Sequence, residues 1–217
     1  MIAGIPIYAL CPPLPQGRAG SADFVKEMLA GSLRRETPGL VIAPAGTVQV
    51  EDEDSALEAA EELRGAARAA GAALVFAIDV GPPRPGSVRL FACLGGAPAI
   101  WGAATGRGCP ADLSTRTLRI GGARLLLLAA PEALDLLAPR RVLAAGGVDA
   151  IIILSHGGAT MRWAPALARL ERSAPILVAA HAGGAGRAYA TAKLATRWVA
   201  APSVPVAAAP ELVRAAS

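Results

Sequence analysis

Residues 124–154 read RLLLLAAPEALDLLAPRRVLAAGGVDAIIIL, and this stretch decides the fold class. Residues 124–130 form a strand-length apolar run, and residues 149–154 form another, rich in β-branched Ile. Between them, residues 131–145 predict a helix, with Pro131 at the first-turn position where its missing N–H does no harm. Two strands joined by a helical crossover lie parallel in one sheet, because a parallel return needs a connection of that length. The unit is strand–helix–strand, and the chain reads as α/β.

The same alternation extends in both directions. Upstream, residues 5–10 predict a strand stopped by Pro12-Pro13, and Ser21 caps a helix whose Phe24, Met28, Leu29 and Leu33 recur at helical spacing. Residues 40–43 predict a second strand ending at Pro44. The acids Glu51 to Asp54 open a helix running to about Ala70, where negative charge suits the positive end of the helix dipole. Residues 73–80, 88–93 and 97–102 read as strands, the last two joined by Gly95-Gly96, a hairpin signal. Downstream, residues 159–173 predict a helix with Met161, Leu167 and Leu170 on its apolar face, and residues 175–180 a strand. Strands at 188–194, 198–201 and 204–208 follow, then a short segment around Leu212. The expectation is one domain over residues 1–217, with mixed sheets and helices on their outer faces.

Composition narrows the function classes. The apolar fraction of 53% supports a sizeable core, with aromatics at only 4%. The net charge of +4 comes from Arg dispersed along the chain, Lys26 and Lys193 being the only lysines. No basic stripe interleaved with aromatics appears, so no nucleic-acid partner is expected. Cys11, Cys93 and Cys109 are far apart and form no CxxC pair, which argues against a zinc-ribbon site or a disulfide framework. No apolar run approaches a membrane span, and the first residues lack a basic n-region, so a cytoplasmic chain without membrane partners is expected.

Several phrases in this order resemble the carbon–nitrogen hydrolase (nitrilase) superfamily, over nearly the whole chain. LVIAP at 40–44 is similar to the family strand that ends in Pro-Glu. RRVLAAGGVDAIIIL at 140–154 resembles the family helix and the strand that follows it. Residues 163–180, with Trp163 near a helix start, and the tail GRAYATAKLATRWVAAPSV at 186–204 resemble its closing segments. The resemblance implies an α-β-β-α sandwich and a homodimer or higher homo-oligomer formed through helices. It also implies a Glu-Lys-Cys set, in which a thiolate attacks an amide or nitrile carbon, Glu takes the proton and Lys stabilises the anion. Carried onto this chain, the Glu position holds Ala45 and the Cys position holds Ala130, with Glu132 matching the acid two residues beyond. No Lys occurs between Lys26 and Lys193, and Arg107 differs from Lys in reach and geometry. The resemblance thus implies the family fold without its catalytic set, acting through ligand binding or assembly. The segments at 46–51 and 102–113 read as shortened substrate-covering loops.

A second constellation is independent of the family set. The only histidines, His156 and His181, end two strands in similar contexts, LSHGG and AHAGG. As parallel neighbours they emerge at one edge, where α/β proteins bind ligands. With Ser155 and Glu132 they define a candidate pocket: a relocated hydrolase site for amides, nitriles or other small molecules, a two-His metal site with Glu132, or a polar ligand pocket. Ser155 and His156 are consecutive in a strand and point to opposite faces, which disfavours a direct bond between them. No cofactor is expected. Cys93 reads as a small buried hydrophobe, Cys109 as an exposed loop thiol, and Asp79 and Asp149 as edge or capping residues. GGAG at 183–186 is a weak phosphate-loop signal, lacking a following helix.

Overall fold

The computed structural model describes residues 7–11, 22, 25–26, 29–30, 39–82, 87–94, 100–103, 108–156, 163–182, 187–194, 197–200 and 211–214. Only the backbone is described at 7–11, 100–103, 164, 180–182 and from 187 onward. The predicted hairpin at Gly95-Gly96, the strand at 204–208, the segment 183–186 and Arg107 lie outside the described residues.

Two mixed sheets result. The first contains β1 (Ile7–Cys11), β2 (Leu40–Ile42), β3 (Val48–Val50), β4 (Ala73–Val80), β5 (Val88–Leu94), β6 (Ile100–Ala103) and β13 (Glu211–Arg214). Its order is β13-β1-β2-β4-β5-β6, with β3 paired to the far end of β4. The second contains β7 (Thr117–Ile120), β8 (Ala123–Ala129), β9 (Ala150–Ser155), β10 (Ile176–Ala182), β11 (Arg187–Leu194) and β12 (Arg197–Ala200), in the order β12-β11-β10-β9-β8-β7. Within each sheet the inner strands are parallel: β1-β2-β4 in one and β8-β9-β10 in the other.

Strand alternation separates three apolar layers. Leu40, Ile42, Val75, Ala77, Leu90 and Ala92 of the first sheet meet Leu125, Leu127, Ile152, Leu154, Leu177 and Ala179 of the second. The intervening positions face helices. Val41, Leu74, Phe76 and Ile78 pack under α1 (Glu53–Ala69), with the Phe76 and Phe91 rings 4.7 Å apart. Leu126, Leu128, Ile151 and Ile153 pack under α2 (Ala130–Ala133), α3 (Ala138–Ala144) and α4 (Ala164–Leu170). Strands covered on both faces are unbroken apolar runs in the sequence. The layers run helix, sheet, sheet, helix, as expected. Among the described residues no helix is long and apolar enough to cross a membrane.

Local chemistry sets the helix ends. Asp52 caps α1 by accepting from Ser55 N at 2.8 Å, and Glu53 and Asp54 occupy its first turn. Its buried face is Ala56, Ala59, Ala60, Leu63 and Ala67, mostly small residues that let the helix lie close to the sheet.

Two expectations are corrected. The single helix at 131–145 is two, α2 and α3, separated at Leu134–Leu137. Pro139 explains the break: it lacks an N–H, and its ring would collide with the carbonyl four residues back in a continuous helix. Asp135 then holds the turn, accepting from Leu137 N at 2.9 Å and Cys109 N at 2.8 Å. The segment read as a loop at 46–51 contains β3, which extends the sheet where Val48, Gln49 and Val50 pair with Ile78, Asp79 and Val80. Residues 114–120 form a 3-10 turn (Ser114–Arg116) running into β7.

Candidate functional site

The carboxyl ends of β2, β8, β9 and β10 carry Ala45, Glu132, Ser155, His156 and His181. Between β2 and β3 the chain makes a tight buried turn. Ala43 N donates to Val75 O at 2.8 Å, Gly46 takes φ 85°, and the Thr47 hydroxyl donates to Pro44 O at 2.7 Å. Ala45 sits in this turn, buried in the inter-sheet cluster.

Across the sandwich, β8 passes directly into α2 at Ala129–Ala130. Both alanines are buried, Ala129 in the layer between the sheets and Ala130 on the helix side. Glu132 in the first turn of α2 locks this elbow. Its Oε2 accepts from Ala129 N at 2.8 Å and from the Arg116 guanidinium at 3.0 Å. Glu132 is 0% exposed and Arg116 6%. This is a buried charge pair that holds a backbone corner. The Glu132 Oε2 is thus committed to Arg116 and to the Ala129 amide.

The partner of His156 is a residue read from sequence only as an edge or cap. Asp79 Oδ2 lies 2.7 Å from His156 Nε2. Alternation accounts for the meeting. Val75 and Ala77 face the opposite sheet, so Asp79 at the end of β4 does too; Ile152 and Leu154 face back, and His156 follows them. Ser155 falls on the other parity and is buried. The structure thus brings Asp79 and His156 together and keeps Ser155 on the opposite face of β9. Asp79 is 6% exposed, whereas the His156 side chain is 54% exposed. The hydrogen bond to the Asp79 carboxylate raises the His156 pKa above its ordinary value, against the opposing effect of burial. Asp79 Oδ1 is buried with no hydrogen-bond partner among the described residues. A signal for this residue was present: Asp79 is the one charged residue in the apolar run ALVFAIDV, at inward parity and near the strand end.

His181 occupies β10 opposite Ala188 of β11. The parallel pairing of β9 and β10 ends with Ala180 opposite Ser155, and His181 and His156 are the residues that follow them in the chain. The shared edge expected for the two histidines is met at the level of the backbone.

Neither described thiol lies in the inter-sheet layer. Cys93 packs under α1, and its burial pushes the thiol up to about 12. Cys109, expected to be exposed, is buried beneath α2, and desolvation followed by the charge of Glu132 pushes it up to about 11. Cys11 closes β1, with only its backbone described. Asp149 acts as a cap, accepting from Arg124 N at 2.6 Å. Among the described residues no group of three or more His, Cys, Asp and Glu side chains is arranged to hold a metal.

The mixed α/β sandwich is similar in fold to solved structures of an amidase from the nitrilase superfamily. The solved structures to which it is similar include those of this amidase, from Nesterenkonia sp. AN1. A variant of that enzyme with the acetamide moiety of fluoroacetamide added covalently at the active-site cysteine matches with a TM-score of 0.64 at 16% identity, covering 99% of this chain and 92% of that one. A cysteine-to-alanine variant of the same amidase in complex with butyramide matches with a TM-score of 0.63 at 18% identity, over 97% of this chain and 90% of that one. The likeness is one of fold. No family model matches the sequence, and no curated protein matches it.

Proposed function

We propose that this nitrilase-fold chain binds a small polar ligand at the carboxyl end of its sandwich and does not cleave amides or nitriles by the thiol route. The observation that carries the reading is the placement of its thiols and methyls. Ala45 and Ala129 line the inter-sheet layer at the strand ends, with Ala130 at the elbow, while Cys93 and Cys109 are buried on the helix sides with pKa values near 12 and 11. At neutral pH thiols of that kind are almost wholly protonated, and the thiolate is the nucleophile. An alanine at either strand end offers neither a nucleophile nor a proton acceptor.

The test is direct. The purified chain is incubated with acetamide, butyramide and acrylamide, ammonia release is followed, and intact mass is recorded after fluoroacetamide. The expected result is no release above the buffer rate and no stoichiometric adduct. Turnover lost on Cys11→Ser, Cys93→Ser or Cys109→Ser overturns the reading.

A second reading, a hydrolase with a relocated site, is favoured by the 2.7 Å Asp79–His156 contact, since a carboxylate that orients an imidazole strengthens it as a base. Turnover that survives all three Ser substitutions and disappears in His156→Ala would favour it. We further propose self-association through the helical face of the second sheet. Leu136 and Leu143 there are 74% and 65% exposed, and Leu137 beside them is also exposed. Light scattering that detects only monomer at high concentration would exclude this.

A further inference from the structure

The helices on the two outer faces of the sandwich carry opposite chemistry. Residues 51–70 hold seven of the 17 acidic residues of a chain whose net charge is +4, so negative charge gathers on α1 and the turn before it. On the other outer face, Leu136, Arg140 and Leu143 follow at spacings of four and three, and all three are exposed, as is Leu137. We infer that these two faces dock on each other in different copies of the chain, α1 of one copy seating against the Leu136–Leu143 face of the next in a head-to-tail stack. The inference rests on the self-association proposed above and names the surface that the second copy presents.

Three observations carry it. First, α1 has an outward ridge with an apolar residue among free acids. Asp54, Leu57, Glu58, Glu61 and Gly65 recur at spacings of three and four, opposite the buried Ala56, Ala60, Leu63 and Ala67. Leu57 is 54% exposed there. Glu53, Glu61 and Glu62 are paired with Arg89, Arg64 and Lys26, whereas Asp54 and Glu58 make no ion pair among the described residues. Second, the ridge is bare at Gly65. A Cβ there would meet nothing within 4 Å, so no contact inside the chain calls for glycine. Glycine is a poor helix former, yet α1 keeps it in its interior, where it lets a partner backbone come close.

Third, charge selects the occupant. Arg140 on α3 and Arg172 just past α4 are exposed, and neither pairs with an acid among the described residues, whereas Arg116 and Arg141 are taken by Glu132 and Asp135. Docked head to tail, Arg140 and Arg172 meet Asp54 and Glu58 while Leu57 meets the exposed leucines. Either face paired with its own copy brings like charges together instead. Because α1 and α3 lie on opposite outer faces, each docking leaves one face of either kind open, and such a contact continues into rings or filaments rather than closing on a pair.

Sedimentation velocity of the full-length chain over a range of concentrations tests the inference. Expected is a mean mass that climbs past the dimer with concentration and falls as salt is added. The double variants Asp54→Lys with Glu58→Lys and Arg140→Glu with Arg172→Glu should each weaken association by about tenfold or more, and their equimolar mixture should recover it, since every contact in a mixed stack again joins opposite charges. Gly65→Gln should raise the melting temperature and yet weaken association, because Gln favours the helix and fills the bare ridge. Far-UV circular dichroism checks that the charge variants fold, and Gly65→Gln reads the same surface independently of them. Association that stops at a dimer, charge variants that associate as the parent does, a mixture that fails to recover, or Gly65→Gln at parental affinity each overturns the head-to-tail stack and leaves self-association standing. A monomer at every concentration overturns both.

Discussion

Replacing Glu132 by Ala removes the anion that locks the β8–α2 elbow, and the structure sets the size of the loss. Two hydrogen bonds to the carboxylate disappear, from Arg116 at 3.0 Å and from Ala129 N at 2.8 Å. Bonds to a charged group contribute about 1.5–3 kcal/mol each, which gives a total of about 3–6 kcal/mol. Arg116, 6% exposed, is then left buried without its carboxylate. Breaking a buried pair in this way destabilises by about 3–5 kcal/mol, in agreement with the first figure.

For a chain of this size each kcal/mol lowers the melting temperature by about 2–4 °C, so a decrease of about 6–20 °C is expected. The assay is reversible urea unfolding with a parallel thermal melt. Hydrogen exchange at the Ala129 amide adds a local readout and should accelerate more than exchange in β10. The double replacement Arg116→Met with Glu132→Leu should lose less than the two single substitutions added, because no isolated charge remains buried. A Glu132→Ala chain within about 1 kcal/mol of the parent would refute the reasoning, since surface pairs contribute no more than that.

Further outcomes follow from other contacts. Leu63→Ala on α1 removes a fully buried side chain facing the first sheet and should cost about 2–5 kcal/mol, read from a denaturant midpoint with unchanged slope. Gly108→Ala should destabilise more than Gly122→Ala: both positions have positive φ, at 107° and 88°, but only at 108 would the new Cβ lie 2.6 Å from Asp135 Oδ2. A comparison of thermal melts of the two variants tests this order. The raised His156 pKa makes the Asp79–His156 contribution to stability full below about pH 6.5 and lost as pH rises through the folded-state value. His156→Gln should accordingly narrow its stability deficit between acidic and alkaline pH, and a deficit that grows with pH would contradict the assignment. The magnitude is reduced by solvent screening of the exposed ring.

The layered α/β plan was legible in the sequence because it rests on local signals. The runs at 73–80 and 149–154 are too short and too apolar for surface helices, the acids at 51–54 announce a helix start, and crossover helices require parallel pairing. The adjacency of His156 and His181 followed from the same logic, since both end strands of one βαβ unit. Pro139 was equally visible, and its effect as a helix breaker should have divided residues 131–145. β3 was not readable at three residues, because it exists only through its pairing with the end of β4.

What tertiary structure alone decided is which carboxylate serves which partner. Asp79 and His156 are 77 residues apart and meet only because two sheets pack face to face with their carboxyl ends together. Glu132 and Arg116 are 16 apart, and their fate depends on a helix covering the outer face of the second sheet. Local sequence records the parity of each side chain along its own strand. It does not record which sheet lies opposite, and that contact determines whether a carboxylate locks a corner or faces a histidine.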